Sequence, residues 1–309
     1  MAKKPEPRTF SSGLDIERRR AEEFVARTQA RLAGTHEPPA LRRLAKAKLK
    51  RKHHMIIGDS HAHPDDPNHR FEWLGSMILD RKPDTVVDIG DSADMPSLFG
   101  YEYGAKGPMF EGHRYWRDVD AYIDAQERLF GAMGAYRPKV LIKTQGNHEE
   151  RITRMLVHEP RFIGVVGLHN LAEREFGWDV YPYGEPVNLD GVLYCHAFLD
   201  PDMGRPIAGV MATRQMILKL PGSASRVQGH SHRYQMFELA DESGGPEPQG
   251  RKITAIHGGC YFDLASNAHR WAGRSVNKWR SGILELWLDE GQIHDFQWTG
   301  YDQVRALYG

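Results

Sequence analysis

The sequence predicts an α/β fold, a covered and mostly parallel sheet preceded by a basic helical extension. Three observations carry this. From His53 onward, short apolar runs alternate with stretches whose apolar residues recur at spacings of three and four. Strands alternating with helices in this way favour a parallel sheet covered on its faces. And 309 residues, 40% of them hydrophobic, suffice to bury a large core.

The elements follow in order. Residues 1–52 form a separate region. Residues 14–32 read as an exposed helix rich in Arg, Glu and Ala, capped by Ser12 or Asp15 and broken by Pro38-Pro39. Arg42, Arg43, Lys46, Lys48, Lys50, Arg51 and Lys52 then make a basic segment, either an arm that contacts phosphates or a partner, or a solvated helix. The domain proper spans residues 53–309. Its strand runs are Met55-Ile56-Ile57, Val86-Val87-Asp88-Ile89, Val140-Leu141-Ile142, Val192-Leu193-Tyr194-Cys195 and Val227-Gln228. Helices are expected around Phe71, Leu74 and Ile78, around Val119, Ile123, Phe130 and Met133, and over residues 206–220, closed by Pro221-Gly222. After His232 the pattern turns to β segments at residues 235–239, 252–257, 261–263, 282–288 and 293–298, with a loop at 242–250.

Composition excludes several classes. The formal net charge is zero, so no global field draws the chain to nucleic acid or membrane. No apolar run reaches the roughly 20 residues of a membrane span, and the first residues lack the apolar core of a secretory signal. Cys195 and Cys260, both in apolar runs, make no disulfide framework; the expectation is two buried thiols in a cytoplasmic protein.

Metal-binding side chains follow each strand run at once. Asp59-Ser60-His61 follows the first and Gly90-Asp91-Ser92-Ala93-Asp94 the second. Gly146-Asn147-His148-Glu149 follows the third, His196 the fourth and Gly229-His230-Ser231-His232 the fifth. One such cluster would pass for a polar loop. Five in succession, at the strand ends where open α/β sheets place their sites, make a metal centre. In this order the motifs resemble the calcineurin-like metallophosphoesterase family, from Asp59 to His232, more than half of the chain.

The resemblance implies a four-layer α/β/β/α sandwich and a site for two divalent ions. Asp59, His61 and His232 would hold the first ion, Asn147, His196 and His230 the second, and Asp91 would bridge them. Mixed nitrogen and oxygen donors suit Mn²⁺, with Fe or Zn²⁺ as alternatives. Two such ions clamp a phosphoryl oxygen and activate a bridging hydroxide as nucleophile. His148 would act on the leaving oxygen with Asp94 orienting it, or would serve as a structural histidine beside the ligands. His63, Asp65 and Asp66 read as a solvated turn, and His257 as a packed core histidine.

The implied substrate is a phosphoester. Phosphoprotein phosphatases of the family carry an arginine after the position of Asp94 and Leu-Arg before the third motif; here Met95-Pro96 and Thr144-Gln145 stand instead. Aromatics interleave with bases in Arg114-Tyr115-Trp116 and in His269-Arg270-Trp271 and Lys278-Trp279-Arg280. Such stretches can stack bases and hold phosphates, or can fill space between loops and sheet. Arg114, Tyr115, Trp116, Arg270 and Trp271 are the candidate substrate contacts. The expectation is therefore a phosphodiesterase or nuclease acting on nucleic acid or a nucleotide. The alternatives are a phosphomonoesterase on a small metabolite and a non-catalytic scaffold of the same fold.

Overall fold

The computed structural model describes residues 51–100, 112–241 and 250–309, with the backbone alone at 269–271. The predicted basic extension, apart from Arg51 and Lys52, and almost all of the 242–250 loop lie outside the described residues; Lys52 already belongs to the first strand.

The chain runs β1 (Lys52–Ile57), α1 (His69–Arg81), β2 (Thr85–Asp88), α2 (Tyr115–Met133), β3 (Val140–Thr144), α3 (Asn147–His158) and β4 (Asp179–Tyr181). It continues with β5 (Val187–Leu189), β6 (Val192–Cys195), α4 (Ala212–Lys219), β7 (Ser225–Gln228) and β8 (Tyr234–Ala240). β9 (Lys252–Gly258), β10 (Gly282–Asp289), β11 (Gln292–Gly300) and α5 (Tyr301–Tyr308) complete it. Short 3₁₀ turns link several of these.

The strands form two sheets. The first has six strands in the order β11-β10-β1-β2-β3-β4, the second five in the order β5-β6-β7-β9-β8. β1 to β4 are parallel, while β10 pairs antiparallel with β1 and β11 with β10. In the second sheet β6, β7 and β9 are parallel and the edge strands β5 and β8 antiparallel. The mostly parallel sheet expected from alternation is thus replaced by two mixed ones. Parallel pairing needs a long crossover, which α1, α2 and α4 supply; the tight turn at Glu290-Gly291 can only reverse the chain.

Apolar side chains collect in three clusters. Met55, Ile57 and Val86 pack with residues of α1, α2 and α3, such as Phe71, Leu74, Tyr122, Leu129 and Ile152. Ile56, Val87 and Ile142 of the first sheet share a second cluster with Val192, Tyr194, Val227 and Ile256 of the second. Cys195 and Ala255 pack with Met216 and Ile217 of α4 in a third. Alternate residues of one strand therefore enter different clusters, as the period of two requires. The architecture is mixed α/β with two multi-stranded sheets, consistent with an α/β sandwich.

Some local expectations change. Residues 261–263 are not a strand. Their neighbour Cys260 makes isolated bridges to Asp59 and Ser281, and Tyr261 N–H donates to the Asp59 carbonyl, so this segment crosses strand ends. The helix expected over 206–220 is only Ala212–Lys219, because residues 206–209 pair back on the loop after β6 through Ile207 N–H to Phe198 O. Gly146-Asn147-His148-Glu149 opens a helix, with Glu149 accepting the Gly146 N–H at 2.8 Å. Both cysteines are buried and free. Among the described residues no helix is long and apolar enough to cross a membrane.

Candidate metal centre

The carboxyl ends of β1, β2, β3, β6 and β7 bring the five motifs together. Asp59, His61, Asp91 and His232 form one group of donors and Asp91, His196 and His230 another, each with its ligand atoms within 4.8 Å of one another. Asp91 belongs to both. Asn147 joins the second group, its Oδ1 lying 2.8 Å from His230 Nδ1 and 3.1 Å from His196 Nε2.

The backbone is bent to achieve this. His61, Asp91, His230 and His232 have φ of 43°, 51°, 68° and 55°, the left-handed region that side chains other than glycine rarely adopt. Such conformations persist where the surroundings over-determine them, and they cluster at functional sites. Two motif glycines are needed for space. A Cβ on Gly146 would lie 2.0 Å from Asp91 Oδ1, and one on Gly229 would lie 2.2 Å from Asp59 Oδ1.

The donor geometry fits a cation. Metal–ligand bonds of about 2.0–2.2 Å place neighbouring donors roughly 3 Å apart. His61 Nε2 and His232 Nε2 are 3.0 Å apart, His232 Nε2 and Asp59 Oδ2 3.1 Å, and His196 Nε2 and Asp91 Oδ2 3.3 Å. Asp59 Oδ2 is buried without a hydrogen bond of its own. Second partners fix the tautomers. His61 Nδ1 donates to Asp94 Oδ1 at 2.7 Å and His196 Nδ1 to the Ile89 carbonyl at 2.9 Å, so both turn Nε2 inward. Buried Asp/His clusters able to bind metal ions are thus present.

Charge is arranged to match. Burial opposes ionisation of Asp91, yet His148 and His196 hold its carboxyl well below the usual range. Asp94 is likewise buried and held well below by hydrogen bonds from His148 and His61. Burial would lower His196, but Asp91 and Asp59 push it up to about 10, while burial and the His196 charge bring His230 down to about 4. His148 is raised: Asp91 and Asp94 prevail over burial and the Arg151 guanidinium.

The other predicted residues divide. His148 and Asp94 lie at the centre, with His148 Nδ1 3.0 Å from Asp94 Oδ1 and His148 Nε2 3.8 Å from Asp91 Oδ2. Asp94 holds His61 as well as His148, a double role that the motif order did not reveal. His63 is not in a solvated turn; it is buried, its Nε2 3.7 Å from Asp94 Oδ2. His257 is a packed histidine, bonded to Gln228 and Ser231. Tyr115 gives its hydroxyl to Asn170 and Gly167, Trp116 is half exposed, and Arg114 donates to the His113 carbonyl. The side chains of Arg270 and Trp271 lie outside the described residues. The aromatics at the ligands are Trp279, 4.3 Å from the His232 ring, Phe262, 5.5 Å from His61, and Tyr183, 6.0 Å from His196.

Sequence reasoning also missed Glu149. Its carboxylate accepts the N–H groups of Asp91, Ser92, Ala93 and Gly146 at 2.8–3.0 Å, tying the second motif to the third. The signal was its place in the third motif, where an acid on the helix's first turn was free to reach back. The chain matches no family model and no curated protein.

Proposed function

We propose that this chain is a dimetal phosphoester hydrolase with the α/β/β/α layering of the calcineurin-like metallophosphoesterases. The carrying observation is that Asp91 belongs to both donor groups, the arrangement a carboxylate bridging two cations requires. In this reading Asp59, His61 and His232 hold one ion and Asn147, His196 and His230 the other. The ions would be Mn²⁺, or Fe or Zn²⁺, which such mixed donors suit. When bound, such a pair orients a phosphoryl group and activates water.

The chain's own residues do the rest. Asp94 fixes the rings of His61 and His148 through one carboxylate oxygen, 2.7 and 3.0 Å from their Nδ1 atoms. His148 faces the shared acid with Nε2 and is the group placed to exchange a proton with a substrate oxygen; such acid–base help gives typically 10²–10⁴-fold. Trp279, half-buried on His232 between exposed Lys278 and Arg280, supports a substrate with a base beside its phosphate. A phosphodiester of nucleic acid or a nucleotide is therefore the preferred substrate class.

The test compares Mn²⁺-loaded protein on bis-p-nitrophenyl phosphate and p-nitrophenyl phosphate, with Asp91→Asn as blank and bound metal measured in parallel. Faster cleavage of the diester, lost together with metal in Asp91→Asn, is the expected outcome. A monoester preference would replace the diesterase reading with a phosphomonoesterase. Inertness towards both with two ions bound would favour the scaffold reading, and full activity in Asp91→Asn would overturn the site.

A further inference from the structure

Beside the metal edge lies a cavity of about 380 Å³ whose walls continue into the ligand-bearing segments. Leu168, Val180 and Pro182 give it apolar surface, and Gln145 and Glu173 bring polar groups. Its volume is that of a small-molecule site, where apolar walls and a few convergent polar groups are the usual chemistry. Gln145 follows β3 and stands two residues before Asn147, so their Cα atoms are at most about 7 Å apart. Gly146, between them, packs so closely on the shared acid that a Cβ there would lie 2.0 Å from Asp91 Oδ1. On another wall Pro182 precedes Tyr183, whose ring lies 6.0 Å from that of His196. The cavity thus flanks the second donor group.

Two of its polar groups are not used up by the fold. Gln145 is 7% exposed and its backbone N–H donates to the Tyr181 carbonyl at 2.8 Å, yet among the described residues nothing bonds to its side-chain amide. A buried amide without a partner calls for one. Glu173 turns Oε1 to the Lys143 ammonium at 2.9 Å, and its other oxygen accepts no hydrogen bond among the described residues. The cavity therefore offers an amide, which donates and accepts, beside a carboxylate oxygen, which only accepts. An amino group next to a ring nitrogen with a lone pair answers both. The amide pairs with that edge twice, and the second amine hydrogen goes to the carboxylate. Adenine and cytosine carry such an edge. Uracil and thymine set a ring N–H between two carbonyls, which would face the carboxylate and be repelled.

We propose that this cavity receives an adenine or cytosine base and that Gln145 determines the specificity. The base belongs to the nucleoside on the side of Asn147 and His196. Trp279, on the His232 ring of the first donor group, serves the nucleoside across the phosphate. The recognition chemistry stands on the cavity alone; its use on a phosphodiester rests on the phosphoesterase reading.

Cytidine and uridine differ at this edge alone, and their binding to the metal-free, full-length protein needs no hydrolysis. In titrations followed by ligand-observed NMR, wild type should bind cytidine about tenfold more tightly than uridine, as one bidentate base contact allows. Gln145→Leu should erase the difference by weakening cytidine. Gln145→Glu keeps the size but has no N–H for the ring nitrogen, and should erase it too. Equal affinities in wild type, binding of neither nucleoside, or a preference unchanged in Gln145→Leu overturns the proposal; should Gln145→Leu not fold, Gln145→Glu decides. In the Mn²⁺-loaded enzyme the dinucleotides CpC and UpU should divide the same way, with KM about tenfold lower for CpC and kcat within about threefold. If wild type cleaves no phosphoester while cytidine still binds through Gln145, the proposed function falls and the cavity assignment stands. If it cleaves bis-p-nitrophenyl phosphate but binds the two nucleosides alike, the hydrolase stands and the cavity assignment falls.

Discussion

Two buried ionic clusters lie back to back, and they meet their negative charge in different ways. In one, Asp88, Glu149 and Glu173 surround the ammonium of Lys143 at 3.9, 3.8 and 2.9 Å, and Tyr122 adds its hydroxyl at 2.8 Å. Lys143 is wholly buried, and although burial opposes its charge, Glu173, Tyr122, Asp88 and Glu149 push its pKa well up. In the other, Asp59 and Asp91 face His61, His196, His230 and His232, whose nitrogens also face one another. A cluster that carries its own ammonium is complete as folded. A cluster of carboxylates and imidazoles with converging lone pairs is arranged for a cation from outside. Glu149 joins them: its carboxylate lies against Lys143 on one side and holds the backbone of Asp91 on the other.

This contrast is broken most directly at Lys143. Lys143→Met leaves three buried acids without their cation, so metal-free protein should lose about 3–5 kcal/mol of stability in urea. If Lys143→Met instead unfolded like wild type and lost only metal binding, the two clusters would be one functional unit. The opposite variant, His232→Ala, should cost the metal-free protein less than Lys143→Met, since its buried Nδ1 has no hydrogen bond to lose. Its effect should appear on metal addition. Wild type at 100-fold excess over Kd gains about 2.7 kcal/mol for each ion bound, and His232→Ala should forfeit the share of one ion. Thermal unfolding with and without Mn²⁺ measures both, and an equal metal-induced rise in the two proteins would remove His232 from the ligand set.

Glu149→Gln probes the joint. The amide keeps one acceptor oxygen but turns an N–H₂ towards backbone donors, so about two of the four contacts are lost, at roughly 1–3 kcal/mol for each buried donor left unpaired. Because those donors belong to Asp91, Ser92, Ala93 and Gly146, metal affinity should fall together with stability. Calorimetric titration of Mn²⁺ alongside urea unfolding separates the two; loss of stability with unchanged affinity would make Glu149 a prop of the fold alone.

The same contrast explains what was legible in the sequence. The donor cluster could be read because each donor follows a strand run immediately, and strand ends in an α/β fold converge on one edge. Local order sufficed for Asp59, His61, Asp91, Asn147, His196, His230 and His232. The Lys143 cluster was silent. Lys143 ends what looks like an ordinary apolar strand, and Glu173 and Tyr122 come from distant segments with no motif of their own. β4 and β5, three residues each, fall below any periodic signal, and Tyr261-Phe262-Asp263 imitates a strand because its aromatics are buried for other reasons, Phe262 beside the His61 and His232 rings and Tyr261 against Tyr301. Two mixed sheets, rather than one parallel one, depend on pairings between strands far apart in sequence, such as Met55 with Glu285.

Asp118 supplies the finest test of the contrast, because it is a buried acid with no ammonium and no ring pair. It is 1% exposed on α2, with Oδ2 accepting the Ser97 N–H at 2.9 Å. Burial, with a smaller push from Asp94, raises its pKa to about 6, against hydrogen bonds from Ser97 and the charge of His63. A carboxyl whose folded pKa exceeds the unfolded value near 3.9 binds its proton more tightly in the fold. Its stabilising contribution is therefore full below about pH 4 and is lost as pH rises through about 6. Asparagine imitates the protonated form at every pH. Asp118→Asn should then be close to neutral at pH 3.5 and stabilising by about 2 kcal/mol at pH 8, with about half of that gain already present at pH 5, in the same metal-free urea experiment. Destabilisation at pH 8 would mean that the carboxylate has a cationic partner after all, and Asp118 would join the ion-paired acids around Lys143.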